Sequence, residues 1–174
     1  MYILGLNAYH PDSSACIIKD GRLLAAAEEE RFCRIKHWAG LPKEAVRYCL
    51  KEAGIGLEGV DYIALNRDPK ANLYKKMVFT LINRPSFSLV KNRFSNIYKI
   101  KGLKDILGRE FIIPKDKIRA RVYHIEHHRS HCASAFFVSP FKESAVVSID
   151  GSGDFTTCML AKGRDNKIEV LSEV

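Results

Sequence analysis

The amino-acid sequence predicts an α/β fold, a mixed sheet with helices, on three observations. Short apolar runs of strand length recur along the chain, bounded by Gly, Pro, Asp and Asn. Between them lie segments whose apolar residues return every three or four positions, the period of a helix with one buried face. Two of the runs are joined by Asp20-Gly21, residues that both tolerate the positive φ of a tight hairpin turn. Strands alternating with helices place the chain in the α/β class.

Taken in order, residues 2–6 form a first strand, and residues 15–18 and 22–27 form a hairpin about Asp20-Gly21. Residues 28–37 carry seven acidic, basic or imidazole side chains in ten positions, a density that suits a loop or an exposed helix. Pro42 reads as a first helical residue, Val46, Cys49, Leu50 and Ala53 follow at helical spacing, and Gly54 and Gly56 end that helix. Residues 60–65 are the next strand. From residue 67 to 121 there are 15 Lys and Arg against 4 Asp and Glu, so this segment alone is more positive than the whole chain at +8. Its apolar positions (Leu73, Met77 and Leu81, then Phe94, Ile97, Ile100, Leu103 and Leu107) predict two basic amphipathic helices broken at Arg84-Pro85-Ser86. A strand over 118–123, a helix over 124–137 closed by Pro140, and strands over 144–149, 155–160 and 168–171 complete the reading.

With 47% apolar and 28% charged residues the chain builds a core and is not a disordered sequence. No stretch approaches the roughly 18–20 consecutive apolar residues of a membrane span, and the first residues lack the basic and apolar regions of a signal peptide. The five cysteines lie at least 16 positions apart with no CxxC, which argues against a disulfide framework and a cysteine zinc site. The expectation is a soluble protein of the cytoplasm.

Two clusters stand out chemically. Four of the six histidines fall within residues 124–131, and on a helix His127 and His131 share a face one turn apart. Two imidazoles so spaced can ligate one ion, although the intervening His128-Arg129-Ser130 lacks the glutamate of a zincin. Asp150 ends an apolar strand and precedes Gly151-Ser152-Gly153. A strand-end carboxylate followed by glycines, whose amides can approach an anion, is a common metal and phosphate device. Two histidines and an aspartate with open positions suit Fe(II), Mn or Zn. The competing reading is a wet helix face or hydrogen-bonded core histidines beside an Asx turn. The second cluster, Arg31, Arg34, Lys36 and His37, can clamp phosphate, or can be a solvated run neutralised by Glu28, Glu29 and Glu30. His10 and Asp12 sit where the first strand turns back. There is no Walker A sequence and no pattern of a nucleic-acid-binding domain.

Together these segments resemble the start of the NodU/CmcH-type O-carbamoyltransferases. The resemblance is carried by ILGLNAYHPDSSA (residues 3–15), Asp20-Gly21, AEEERFCRIKH (27–37), GLP (40–42), HHRSHCASAF (127–136) and SIDGSG (148–153), in that order. It implies the N-terminal half of an actin/sugar-kinase-like (ribonuclease H-like) catalytic domain, with a core over 1–66 and 118–174 and a basic helical insertion over 67–117. The rest of the enzyme, including a second aspartate ligand and most of the ATP pocket, is expected from a missing C-terminal half, in cis or on a separate chain. The activity implied uses carbamoyl phosphate and ATP, through carbamoyl adenylate, to carbamoylate a hydroxyl of a sugar or natural product. By the same resemblance His127, His131 and Asp150 are ligands of an iron-type ion. His10 lies near the carbamoyl group, Lys36 and Arg34 lie on substrate phosphate, and Arg31, His37, Gly151 and Gly153 lie close by. A different class of reading, a non-catalytic relative using the basic segment to bind nucleic acid or a partner, is kept as the alternative, with nucleic acid not the expected partner. A threonylcarbamoyladenosine-type tRNA modifier is disfavoured by the residue 27–37 block.

Overall fold

The computed structural model describes residues 1–83 and 102–174. The chain divides into two compact units, Met1–Leu65 with Pro85–Tyr123, and Asn66–Arg84 with His124–Val174.

The first unit is built on a five-stranded sheet of order β3-β2-β1-β4-β5, with β1 at Tyr2–Asn7, β2 at Ser14–Lys19, β3 at Arg22–Glu28, β4 at Tyr62–Leu65 and β5 at Arg121–His124. β1, β2 and β3 form an antiparallel meander, and β4 lies parallel to β1 with Leu4 opposite Ile63. The hairpin forms where expected: Asp20 and Gly21 take φ of 49° and 81°, the conformation in which a two-residue loop matches the strand twist. The charged stretch after β3 forms a four-residue helix, α1 (Glu30–Cys33), followed by a loop. The α2 helix (Lys43–Ala53) buries Ala45, Val46, Cys49 and Leu50, as the spacing predicts, and packs on β2 and β3. Burying each of its Val and Leu side chains contributes about 1.5–3 kcal/mol. Gly54 closes α2 in the left-handed conformation, its amide reaching back to the Leu50 and Lys51 carbonyls. The start of α2 is capped from a distance, because the buried Glu29 carboxylate accepts from the Glu44 and Ala45 amides at 3.2 and 2.8 Å. The α4 helix (Leu103–Phe111) buries Leu103 and Leu107 in this unit's core. The helix that precedes it in the chain, α3 (Leu73–Asn83), belongs to the other unit.

The second unit is a three-stranded antiparallel sheet, β6 (Glu143–Gly153), β7 (Thr156–Arg164) and β8 (Lys167–Glu173), with the α5 helix (His127–Phe136) packed against it. Cys132 and Phe136 on α5 meet Val146, Met159 and Ala161 of the sheet to make its core. The α3 helix (Leu73–Asn83) forms as expected, but it turns Leu73, Met77 and Leu81 to solvent. Its ties lie on other residues: Asn72, just before it, hydrogen-bonds Asp154 and Thr156, and the Phe79 ring meets Phe155 edge-on at 5.4 Å. The break foreseen at Arg84-Pro85-Ser86, and the positions Phe94, Ile97 and Ile100, lie outside the described residues.

The fold class the sequence predicts, a mixed sheet with helices, is therefore the one observed. All five cysteines are free thiols. Among the described residues no helix is long and apolar enough to cross a membrane.

Candidate metal centre

The second unit assembles its histidines on α5. That helix starts cleanly because the Glu126 carboxylate accepts from the His128 and Arg129 amides at 2.9 and 2.7 Å, satisfying donors that a helix N-terminus leaves open. Along α5 the residues His128, Cys132 and Phe136, four apart, are buried. His127 and His131 form the neighbouring stripe.

Strand β6 answers from below. Val146 and Ser148 are buried against α5, so alternation turns Asp150 to the same face. The result is a convergence of three donor atoms. His127 Nε2 lies 2.7 Å from Asp150 Oδ2, His131 Nε2 lies 3.1 Å from His127 Nε2, and His131 Nε2 lies 3.5 Å from the same carboxylate oxygen. Metal bonds of about 2.1 Å at angles between octahedral and tetrahedral need donor–donor edges of about 3.0–3.4 Å; the 3.1 Å edge lies in that range and the 3.5 Å edge close to it, while the 2.7 Å His127–Asp150 contact is a hydrogen bond that must lengthen by about 0.3 Å to admit an ion. Among the described residues these three form the cluster able to hold a metal.

Two of the three groups are biased toward the forms a ligand needs, Asp150 ionised and His131 neutral. The hydrogen bond from His127, then that from the Gly151 amide, hold the Asp150 carboxyl down to about 2. Burial, reinforced by the adjacent His127, pushes the His131 imidazole below its usual range, toward the neutral form a ligand must have. Asp150 is oriented by its own chain, since the Gly151 amide donates to Oδ1 at 2.6 Å and leaves Oδ2 for the histidines. Gly153 has a different part: a Cβ there would overlap the His127 ring. The glycine makes room for the imidazole.

His128 is buried with both ring nitrogens bonded, Nε2 to the Thr156 carbonyl at 2.9 Å and Nδ1 to Ser148 Oγ at 2.8 Å. A carbonyl only accepts, so Nε2 carries the proton and Nδ1 accepts from the hydroxyl. His128 is a core histidine, and its i, i+4, i+8 stripe with Cys132 and Phe136 is the sequence signal that separates it from its neighbours.

The remaining sequence-derived candidates lie in the first unit. The loop after β1 is stitched to the segment around Gly40: Ser13 Oγ donates to the His10 and Gly40 carbonyls at 2.9 Å, and the Tyr9 amide donates to the Gly40 carbonyl at 3.0 Å. This brings together Asp12 and His37, whose Oδ1 and Nδ1 lie 2.8 Å apart, while the Glu30 carboxylate accepts from the His37 amide at 3.1 Å. His10 Nδ1 lies 3.3 Å from the Pro11 carbonyl. Arg31 is engaged by Glu28, at 3.0 Å. Arg34 ends α1 in the left-handed conformation, and both it and Lys36 are exposed. The Asp12–His37 pairing and the contacts made by Ser148, Asp154 and Glu29 were not legible in the sequence, where Asp154 reads only as closing the Gly151-Ser152-Gly153 turn, because each acts across many residues.

Comparison with known proteins gives a coherent result. A family model described as carbamoyltransferase N-terminus matches residues 2–174. The protein sll1178 of Synechocystis sp. is 40% identical over 96% of this chain and 28% of its own length. The nodulation protein NolNO of Sinorhizobium fredii is 34% identical over 95% of this chain and 23% of its own. The chain thus spans about a quarter of the length of these relatives. Among solved structures, YeaZ from Pseudomonas aeruginosa is 17% identical with a TM-score of 0.49, covering 99% of this chain and 66% of that one.

Proposed function

The chain belongs to the carbamoyltransferase N-terminus family, and from that premise we propose that the whole protein carbamoylates a hydroxyl of a sugar or natural-product acceptor. The donor is carbamoyl phosphate and the co-substrate ATP. Hydrolysis of the donor leaves carbamate and phosphate. The carbamate oxygen attacks the α-phosphate of ATP, releasing pyrophosphate and forming carbamoyl adenylate. The acceptor hydroxyl then attacks the carbamoyl carbon, loses its proton, and AMP departs. This chain contributes the N-terminal part, and the ATP pocket is completed by sequence that the longer relatives carry beyond the matched region.

The observation that carries the reading is the convergence of His127, His131 and Asp150. A divalent cation such as Fe(II), held by these three, supplies charge for the phosphates and polarises the carbamoyl group. Asp150 contributes the anionic ligand, and the two neutral imidazoles keep the site's net charge positive toward phosphate. Arg34 and Lys36, exposed beside α1, bind substrate phosphate, the guanidinium in a bidentate manner and the ammonium as a point charge. His10 stands near the carbamoyl group, and Asp12 orients His37 through Nδ1. In the first unit Arg31 is assigned to substrate phosphate, and in the second Gly151 and Gly153 are assigned to the phosphate-bearing substrate beside Asp150.

The test is anaerobic titration of Fe(II), with Mn(II) as a paramagnetic stand-in, into the 174-residue chain and its His131→Ala and Asp150→Ala variants. One ion per chain, weakened by each substitution, is expected. A chain folded by circular dichroism that takes no metal overturns the ligand assignment. In the complete protein, loss of pyrophosphate release in the same variants is the corresponding activity readout.

A further inference from the structure

The turn after Gly153 carries an aspartate that the metal site does not use as a ligand. Asp154 Oδ2 accepts from two backbone amides at once, His127 at 3.2 Å and Asp68 at 2.8 Å. The first is the opening residue of α5 and the first ligand. The second lies in the segment that leads into α3. Both belong to the second unit, so the contact is internal to one compact body. Asn72 locks the same turn from the other side, its Nδ2 donating to the Asp154 carbonyl at 3.2 Å and to Thr156 Oγ1 at 3.0 Å.

The backbone here is unusual. Asp154 and Phe155 take φ of 50° and 71°, a region that costs any residue with a side chain something and a bulky aromatic more. A turn held in that shape by Asn72 and by the Phe79–Phe155 ring contact aims the carboxylate at the start of α5. The amide it takes is one of those that a helix N-terminus leaves without an intrahelical acceptor, and Glu126 already serves the next two. Negative charge at this end also suits the helix dipole.

We infer that Asp154 is a positioning residue of the candidate metal centre: its carboxylate ties the 66–72 segment to the His127 backbone and so fixes where the His127 imidazole stands relative to Asp150. The inference rests on the metal reading above for its consequence, though the tether itself is a feature of the metal-free chain. Outer contacts that orient a ligand typically change metal affinity about 10–100-fold when lost.

The experiment compares Asp154→Gly, Asp154→Asn and the parent chain. Glycine removes the carboxylate yet accepts positive φ, so backbone strain is not confused with the lost acceptor. Asparagine tolerates the same φ and keeps one acceptor oxygen. Two readouts are taken, Co(II) affinity with the visible absorption of the bound ion, and hydrogen exchange at the His127 and Asp68 amides without metal. Asp154→Gly should lose about 10–100-fold in Co(II) affinity, change the absorption envelope and expose both amides, while Asp154→Asn recovers most of each. Parent-like affinity, spectrum and exchange in Asp154→Gly overturns the inference, and so does an Asn variant as impaired as Gly. If the parent chain takes no Co(II), the metal reading falls and exchange alone decides: both amides exposed in Asp154→Gly and protected in Asp154→Asn uphold the tether, and unchanged protection sinks it.

Discussion

In the first unit the cationic groups Arg31, Arg34, Lys36 and His37 are exposed on a short helix and the loop after it, whereas in the second His127 is buried and meets Asp150 and His131 within hydrogen-bonding distance. Arg31 and His37 are already paired with Glu28 and Asp12, but Arg34 and Lys36 are exposed, and ordering a Lys or Arg on a ligand costs up to about 2 kcal/mol of side-chain entropy each. His127 has lost its rotamer freedom already, to the helix, to the strand beneath it and to the tight fit at Gly153, while His131 stays exposed. One unit thus presents exposed cations on a short helix and loop. The other presents a buried His127 held against Asp150, with His131 and Asp150 at the surface beside it.

The sharpest way to break this comparison is to remove one group of each kind. His127→Ala should lower divalent-metal affinity on the order of 100-fold or more, read by titration calorimetry, while Arg34→Ala leaves that affinity unchanged and stability within about 0.5 kcal/mol. Comparable losses in both variants would mean that the two groups are not independently built. Next in size is Gly153→Ala. The added methyl overlaps the His127 ring, so the imidazole or the turn must move, at a cost of about 1–3 kcal/mol in urea unfolding and with weaker metal binding. Unchanged affinity there would show that the imidazole has room the structure does not display.

Glu29→Gln sharpens the comparison from the first unit's side. It removes the charge from a buried cap of α2 and should cost about 1–2 kcal/mol without altering metal affinity. The smallest effect is expected at Glu143, which Arg164 and then Lys162 hold down to about 2, from an ordinary 4.5. A depressed carboxyl contributes stability above its unfolded value and loses it as pH falls through the folded one. The contribution should therefore be complete above about pH 4.5 and gone near pH 2. Because the pair is solvent-exposed, Glu143→Gln should leave unfolding at neutral pH in ordinary salt nearly unchanged and flatten only the acid limb of the stability–pH curve. A large loss at neutral pH would mean that the Arg164–Glu143 contact is better shielded than its exposure indicates.

Much of the fold was legible before any coordinates. The Asp20-Gly21 turn, the α2 stripe of Val46, Cys49 and Leu50 with Gly54 behind it, and the β6 to β8 succession all depend on local periodicity and turn chemistry. Boundaries shifted by a few residues where sequence neighbours compete for the same backbone: the strand expected from 118 begins at Arg121, because a 3-10 turn takes Lys115–Lys117 just before it. The face of α3 was not legible. Leu73, Met77 and Leu81 repeat as a buried stripe would, yet they stand in solvent, since the helix's position is set by Asn72 and Phe79.

For the site the division is the same. Local spacing alone determined that His127 and His131 share a face, because one helical turn is a property of neighbouring residues, whereas the strand expected to end at Asp150 runs on to Gly153. Which histidine stands against Asp150 and which is core was decided by the tertiary structure. Parity along β6 turns Ser148 to His128 and Asp150 to His127, and only the packing of α5 over that strand brings partners 20 and 23 residues apart into hydrogen-bonding range. The same packing gave Gly153 its purpose and set Asp154 under the first turn of α5. Contacts across such separations arise from burial, which no short window of sequence contains.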